Sequence, residues 1–215
     1  MNREAILHRV RTALGRSAGM PPPEPPPVAA VPEAGSQESM LAEFTERAEA
    51  LGLTVRVADS PEQARSMVHA ILAGRKAVAA DHEFLTLCGV GGIEHVKKGV
   101  NEPLRWRAAC TTAEVGITSA DYALAATGTL AMISSPENPR LASLLPTEHI
   151  AVVPMDRLIS GLPELLAREP QVFERASSLV LITGSSSTGD IEQLLIKGVH
   201  GPRQVHIIFF RHHGW

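Results

Sequence analysis

Short apolar runs alternate along most of this chain with longer stretches in which apolar residues recur at helical spacing. The runs contain few polar residues, and they read LTVRVAD, KAVAAD, TLAMISS, HIAVVP, SLVLITG and QVHIIFF. Near-continuous apolar runs are typical of strands that are buried on both faces of a sheet. Because such strands alternate here with helices, the pattern predicts a three-layer α/β fold with a mostly parallel sheet and helices on both faces.

The helices at the start of this alternation carry recognisable signals. Ser36 is a candidate N-cap, and Gly52 is the predicted stop of the same helix. Ser60 is a second N-cap, followed by Pro61 at the first helical position and by Gln63, which completes a capping box. Further helices are predicted at NPRLASLL, MDRLISGLPELLARE and DIEQLLIKGV.

Two stretches give a weaker pattern. Residues 84–115 have glycine breaks and no clean period, so we predict an irregular segment with a short strand near residues 106–110. Within GITSADYALAATGTLAMISS, Ser119 is a candidate cap for a short helix that runs through Ala126, with Gly128 just past its end. The apolar run after Gly128 is then a buried strand.

The amino-terminal segment differs in composition from the rest of the chain. Residues 1–19 are predicted to contain an amphipathic helix, with apolar residues from Ile6 to Leu14 on one face. Seven of the chain's 16 prolines lie between positions 21 and 32, so residues 20–35 are predicted to be an extended proline-rich linker. Residues 36–215 then form the α/β domain.

Composition argues against several classes of function. The formal net charge of −3 and the 4% of aromatic residues disfavour a general nucleic-acid binder or a surface that stacks single strands. No apolar stretch reaches the roughly 18 residues of a membrane span. The charged amino terminus lacks the apolar region of a signal peptide, so we expect a cytoplasmic protein.

The metal-binding residue types are scattered. Cys88 and Cys110 belong to no C-x-x-C pair, so this chain alone is not expected to hold zinc or an iron–sulfur cluster, and both thiols are expected to be reduced. The nine histidines show no H-E-x-x-H spacing. His82 follows a strand, where it either faces a cleft or fills a structural role, and the structural role is favoured. We assign no metal ligand and no catalytic residue.

The strongest chemical candidate is TGSSSTGD, which follows the run SLVLI. Ligands of open α/β sheets bind outside the carboxyl ends of the strands. Hydroxyls, a glycine and the amides of a following helix N-terminus suit a phosphate or carboxylate. The candidate ligand-binding residues are Thr183, Gly184, Ser185, Ser186, Ser187 and Thr188, with Asp190 and Glu192 in the first turn of the predicted helix. The same residues also suit a capped turn without a ligand, and both interpretations stay open.

A second polar constellation flanks the run TLAMISS. Thr127, Gly128 and Thr129 precede that strand, and Glu137 and Arg140 follow it. The planar guanidinium of an arginine is suited to a carboxylate or phosphate, although a surface ion pair is an equally good interpretation. We predict that both constellations face one cleft that holds a small anionic metabolite.

Four blocks in this chain resemble the LUD domain family. They are GITSADYALAATGTLAMISS, RLASLLPTEHIAVV, LITGSSSTGDIE and GVHGPRQVHIIFF, and they occur in the family's order. The resemblance implies a fold like that of the sugar-phosphate isomerase and CoA-transferase superfamily. It also implies a role as one subunit of a three-part system that oxidises L-lactate to pyruvate, in which partner subunits carry the iron–sulfur clusters and this chain binds no cofactor.

The chain departs from the family pattern at two places. Ala126 stands where the family often has an acid, which weakens any assignment of a general base there. Ser187 stands where the family often has an arginine, and Ser185 replaces a proline. Either Arg140 or another cation replaces that arginine, or the ligand preference has shifted.

Two other functions remain open from the sequence. One is an enzyme that acts on a small metabolite with a nucleotide or phosphoester, in the manner of a folate cyclo-ligase. The other is a non-catalytic protein that senses a metabolite and docks onto partners through its tethered amino-terminal helix.

Overall fold

The fold was analysed in a computed structural model that describes residues 3–17, 19–21, 35–99, 102–191, 194–198 and 200–211. The helices are α1 Arg3–Ala13, α2 Gln37–Ala50, α3 Pro61–Leu72, α4 Glu83–Leu87, α5 Pro103–Thr112, α6 Leu141–Leu144, α7 Leu162–Arg168 and α8 Val172–Arg175. The strands are β1 Thr54–Ala58, β2 Ala77–Ala79, β3 Val96–Lys98, β4 Val115–Ser119, β5 Tyr122–Leu124, β6 Thr129–Ile133, β7 Glu148–Pro154, β8 Leu158–Ile159, β9 Leu179–Ile182, β10 Ser187–Ile191, β11 Leu194–Lys197 and β12 Gln204–Phe210.

The centre of the molecule is a six-stranded sheet in which every neighbouring pair is parallel. Its strand order is β1-β12-β7-β4-β2-β3. All five residues of β4 and all seven of β7 are buried, which agrees with their near-continuous apolar sequences. The predicted fold class, a mostly parallel sheet with helices on both faces, is therefore confirmed.

Alternate residues of the central strands serve two separate cores. Ile150 and Val152 of β7 pack with α3 and α4 on one face. Ala151 and Val153 of the same strand point to the other face, where α2 packs and Phe44 meets Phe209 edge-on at 5.1 Å between ring centroids. Each of these side chains is fully buried, so the sheet is the shared wall of both cores.

A second sheet packs against the first on the side of α2. The pattern of apolar runs had predicted a single sheet. The order of the second sheet is β8-β5-β6-β9, and β6 is antiparallel to both of its neighbours. One face packs on the parallel sheet, and the other packs on α7 and α8 through Leu165 and Val172. Burial on both faces gives β6 an uninterrupted apolar sequence, because such a run reports burial and not strand direction.

The two predicted helix starts are confirmed. The Oγ of Ser36 accepts a hydrogen bond from the backbone N of Ser39 at 3.2 Å. The Oγ of Ser60 accepts one from the N of Gln63 at 3.2 Å, and the Gln63 side chain accepts one from the N of Asp59 at 2.5 Å. In a standard capping box the Gln63 side chain would accept from the N of Ser60, whereas here it accepts from the N of Asp59, the preceding residue.

Two local predictions in the irregular region were wrong. Residues 106–110 lie in helix α5 instead of a strand, and Trp106 is buried there against Val78 and Ala142. Ser119 ends strand β4 and caps no helix. The helix expected up to Ala126 is a single 3-10 turn, closed by Gly128 at φ 61°, because β5 pairs with β6 immediately before it.

Two predicted helices downstream are also different. In MDRLISGLPELLARE the helix starts only at Leu162, because Leu158 and Ile159 extend the second sheet as β8. DIEQLLIKGV is not helical in its described part, since β10 and β11 pair as antiparallel strands with Ser187 opposite Lys197. Short apolar runs fit a strand as well as a helix, and here strand pairing decides.

The amino-terminal helix stands apart from these cores. Helix α1 has no buried residue, and Ile6, Val10 and Leu14 are 44%, 50% and 67% exposed. Most of the predicted proline-rich linker lies outside the described residues.

Candidate functional site

Three neighbouring strands of the parallel sheet end beside polar side chains. Asp81 and His82 follow β2, Asp121 follows β4, and Arg157 follows β7 in a 3-10 turn. These strands are adjacent in the order β7-β4-β2, so their carboxyl ends form one continuous border, which we call the carboxyl edge. This is the position where open α/β sheets bind ligands.

The loop after β6 also reaches the carboxyl edge. The Nδ2 of Asn138 donates a hydrogen bond to the backbone O of Ser119, the last residue of β4, at 2.9 Å. The backbone N of Asn138 in turn donates to the Oγ of Ser135 at 3.0 Å. Asn138 is only 2% exposed, so this buried amide anchors residues 134–140 against the sheet.

A cavity of about 630 Å³, which we call the His82 cavity, opens at this edge. Its lining combines the start of α4 with the loop after β6. The lining residues are Asp81, His82, Glu83, Thr86, Leu87, Ser135 and Glu137. Three of these side chains are carboxylates, and the candidate hydrogen-bond donors are His82 and the hydroxyls of Thr86 and Ser135.

The chemical state of His82 follows from its neighbours. Its Nδ1 accepts a hydrogen bond from the backbone N of Phe84 at 3.3 Å, so the ring caps α4. Burial, more than any nearby charge, holds the pKa of His82 below its ordinary value. A neutral ring whose Nδ1 accepts must carry its proton on Nε2, which leaves an N–H donor.

Asp121 is the second titratable group at the edge. Its Oδ2 accepts a hydrogen bond from the backbone N of Ile133 at 2.7 Å. Burial raises the pKa of Asp121 to about 6, against the opposing effects of that hydrogen bond and of the Arg157 charge. A carboxyl with this pKa changes its charge close to neutral pH, which is the property of an acid or base catalyst.

A second cavity, the Arg140 cavity, adjoins the first and has a volume of about 500 Å³. Ser135 lines both cavities. The other lining residues are Ser134, Pro136, Pro139, Arg140, Leu141, Arg175 and Ser177. Arg175 pairs with Glu169, whereas no described carboxylate forms an ion pair with Arg140. This cavity is the more cationic of the two.

The structure brings one predicted group of site residues together. The Oγ1 of Thr129 lies 2.9 Å from that of Thr183 and accepts a hydrogen bond from the Oγ1 of Thr127 at 2.8 Å. Gly128 belongs to the same turn, and a Cβ there would lie 2.5 Å from the backbone N of Ala48 in α2. A close helix contact therefore explains this glycine.

The serine-rich segment, residues 183–188, is tied to GVHGP. The backbone N of Ser186 donates to the O of Pro202 at 2.9 Å, and its Oγ accepts from the N of His200 at 3.2 Å. Gly184 turns the chain at φ 138°. The predicted helix N-terminus is replaced by β10, so the anion-binding role of this segment stays a prediction without the helix amides on which it partly depended.

The described members of the two predicted constellations lie at opposite ends of strand β6. Thr129 and Thr183 lie at one end of the β6–β9 pair, where Leu130 is opposite Ile182. Glu137 and Arg140 follow the other end of β6 and line the two cavities of the carboxyl edge. A five-residue strand of about 3.3 Å per residue separates the two groups.

Of the remaining predicted residues, Thr188 and Asp190 lie in β10, and Glu192 lies outside the described residues.

Sequence reasoning missed Asp121 and Arg157, and it favoured a structural role for His82. All three follow the carboxyl end of a predicted or observed strand, which is the same signal that selected the serine-rich segment. The signal was not used for Asp121 because Ser119 was interpreted as a helix cap, nor for Arg157 because MDRLIS was interpreted as helix.

The two cysteines belong to the hydrophobic cores. Cys88 and Cys110 are both buried and unpaired, and burial raises their pKa values to about 12 and about 11. In the part of the chain that the structure describes, no group of three or more histidine, cysteine or acidic residues is arranged to hold a metal ion. No helix among the described residues is long and apolar enough to cross a membrane.

Comparison with known proteins agrees with this architecture. The profile of the LUD domain matches residues 41–210, so the chain belongs to the LUD domain family. A solved structure of a DUF162 family protein from Deinococcus radiodurans has a TM-score of 0.65, covers 82% of this chain and 99% of its own, and is 20% identical. At that identity the similarity supports the fold alone.

Relatives with names extend over most of the chain. An Exiguobacterium protein named Lactate utilization protein C is 27% identical over 95% of this chain and 94% of its own length. The protein of the same name from Anoxybacillus flavithermus is 28% identical over 93% and 94%. A third, from Halalkalibacterium halodurans, is 40% identical over a shorter stretch, 42% of this chain and 41% of that protein.

Proposed function

We propose that this chain acts in lactate utilisation, as a substrate-handling subunit of a system that oxidises L-lactate to pyruvate. Two relatives that align over more than nine-tenths of the chain carry the name Lactate utilization protein C, and this is the observation that carries the proposal. Near-complete alignment favours a shared role of the whole protein over one shared domain.

The chemistry of the carboxyl edge is compatible with a small hydroxy or keto acid. Lactate and pyruvate are monocarboxylates, and a carboxylate is the usual partner of an arginine guanidinium. In the Arg140 cavity, Arg140 and the serine hydroxyls offer such a ligand charge-assisted and neutral hydrogen bonds. The serine-rich segment, residues 183–188, is the alternative location, and its own residues include hydroxyls but no arginine or lysine.

Iron–sulfur clusters would belong to partner subunits in this proposal. The two thiols are buried, and among the described residues no group of three or more histidine, cysteine or acidic side chains is arranged to hold a metal, so these residues do not fit that group. Helix α1 is a candidate for holding the subunits together, because its exposed Ile6, Val10 and Leu14 make an apolar face suited to a partner groove. The assembly would operate in the cytoplasm.

Deletion of the gene in its host tests the proposed role. We expect loss of growth on L-lactate as the carbon source and loss of L-lactate-dependent dye reduction in extracts, with growth on pyruvate intact. The wild-type chain and the exposed-arginine control Arg105→Gln should restore both, whereas Arg140→Gln should not. Unchanged growth and dye reduction after deletion would overturn the proposal.

Partner docking has a separate test. Removal of residues 1–35 should abolish co-purification with the other subunits while the melting temperature of the domain and its response to lactate stay unchanged. Co-purification at the wild-type level by the truncated chain would exclude α1 as the docking element.

A further inference from the structure

Arg157 is held between two aromatic rings at the carboxyl edge. Its Cζ lies 5.5 Å from the ring centroid of Phe84 and 5.7 Å from that of Tyr122. Both rings are almost fully buried and fixed by other contacts, Phe84 by Phe210 and Tyr122 by a hydrogen bond from its hydroxyl to Glu169 at 2.9 Å. The guanidinium is therefore positioned by the core and does not move freely in solvent.

No described residue accepts a hydrogen bond from the edge of this guanidinium. The faces of the aromatic rings stabilise the positive charge, but they accept no hydrogen bonds from the five N–H groups, which point outward in the guanidinium plane. Two other arginines illustrate the contrast by pairing with carboxylates, Arg75 with Glu148 and Arg168 with Glu164. Among the described residues, no carboxylate pairs with Arg157 and no group accepts a hydrogen bond from it. A partly buried guanidinium in this state is suited to an anion from outside the chain.

Two neighbouring titratable side chains add to Arg157 the further polar groups that a binding site needs. His82, whose Nε2–H is free to donate, and Asp121 both lie close enough to Arg157 for its charge to affect them. The three residues come from the ends of three adjacent strands, β2, β4 and β7. We propose that Arg157, clamped by Phe84 and Tyr122 and assisted by the Nε2–H of His82, binds the carboxylate of a small monoanionic acid.

Charge around the site selects the class of ligand. The His82 cavity is lined by the carboxylates of Asp81, Glu83 and Glu137, of which Asp81 pairs with Lys98. Asp121 adds a further carboxyl group after the neighbouring strand β4. Like charges at this range repel a phosphate dianion more strongly than a monocarboxylate. A planar carboxylate also matches the guanidinium edge with two parallel hydrogen bonds.

This inference rests on the proposed function for its choice of acids but concerns a different arginine. It places the ligand carboxylate at Arg157, where the proposed function places it at Arg140. The two are distinguished by which arginine is needed for binding in the isolated chain. Deletion of the gene tests the lactate role without reference to either arginine, and complementation with Arg140→Gln tests only the Arg140 location.

Ligand binding by the full chain tests the inference. Calorimetry and thermal shift at constant ionic strength would use sodium L-lactate, pyruvate, acetate and inorganic phosphate. We expect wild-type protein to bind lactate or pyruvate more tightly than phosphate. Arg157→Gln should weaken that binding by about tenfold or more, and Arg157→Lys should restore it only in part because ammonium does not offer the planar fork. The exposed control Arg105→Gln should leave it unchanged.

A second measurement on wild-type protein keeps the inference testable if the Arg157 variants do not fold. In ¹⁵N-arginine-labelled wild-type protein, the side-chain Nε–H signal of Arg157 should shift on titration with lactate, and Phe84→Leu should reduce that shift. Wild-type affinity in a folded Arg157→Gln variant, an unmoved Nε–H signal, preference for phosphate, or no binding of any of the four probes would each overturn the inference. Loss of binding in Arg140→Gln alone would move the carboxylate to the Arg140 cavity.

Discussion

The serine-rich segment and the carboxyl edge are both polar places at strand ends, but their polar groups have different uses. Around residues 183–188 the described hydrogen bonds join the segment to other parts of the chain, as between Ser186 and Pro202 and between Thr183 and Thr129. At the carboxyl edge, Arg140 and Arg157 have no described carboxylate partner. Polar groups already satisfied within the chain stabilise the fold, and those left unsatisfied are available for a ligand.

The difference teaches that residue type alone does not identify a site. Four consecutive hydroxyls and a glycine suggested an anion site, yet the backbone and the Oγ of Ser186 bond to the GVHGP segment instead. By contrast, Arg140 and Arg157 at the carboxyl edge are single residues with no recognisable motif around them in the sequence. Substitutions that separate stability from binding therefore test the comparison directly.

The largest effect is expected for Gly128→Val, in the turn beside the serine-rich segment. The φ of 61° disfavours a β-branched residue, and its Cβ would lie 2.5 Å from the N of Ala48. Strain and overpacking together should lower the free energy of unfolding by about 3 kcal/mol or more, measured by urea denaturation. Gly15→Val has a similar φ of 64° with open space around it, and it should leave domain unfolding unchanged. Equal effects of the two substitutions would contradict the packing role.

The pH dependence of stability should report Asp121 at the carboxyl edge. Its folded pKa of about 6 lies above the unfolded value of about 3.9, so the folded state binds the proton more tightly. Its contribution to stability is therefore fully present below about pH 4 and is lost as the pH rises through 6, by about 2 kcal/mol. The difference in unfolding free energy between wild type and Asp121→Asn should fall by that amount between pH 4 and 7, whereas a constant difference would exclude the raised pKa.

Arg140→Gln should separate binding from folding. No described carboxylate depends on this guanidinium, so the melting temperature without ligand should stay within about 1 °C of wild type. Binding of lactate or pyruvate should weaken by about tenfold if the Arg140 cavity holds the carboxylate. Calorimetry beside the Arg157 variants decides between the two arginines.

The smallest effect is expected for Ser186→Ala, which should change stability and leave ligand binding unchanged, the opposite of Arg140→Gln. Loss of the hydrogen bond from the N of His200 should lower unfolding free energy by about 1 kcal/mol. Ligand affinity should not change. A tenfold loss of lactate affinity with unchanged stability would restore the serine-rich segment as the anion site.

The site was less predictable than the fold because contacts across the second sheet decide which loops meet. Glu137 and Arg140 were correctly expected near strand ends, and they do line cavities there. Their separation from Thr129 follows from the antiparallel direction of β6 and β9, which the uninterrupted apolar runs did not reveal. Arg157 gains its environment from Phe84 and Tyr122, which are distant in sequence.

The sequence by itself determined the α/β class, the capped starts of α2 and α3, the apolar strands of the core and membership of a recognisable family. These features depend on local hydrogen bonds and on burial, both of which leave a pattern in consecutive residues. Only the tertiary structure decided that the apolar strands are divided between two sheets and that the described part of DIEQLLIKGV pairs as strands. It also decided that His82, Asp121 and Arg157 lie at one edge. Strand direction and convergence depend on pairing between distant segments, which no local pattern of residues records.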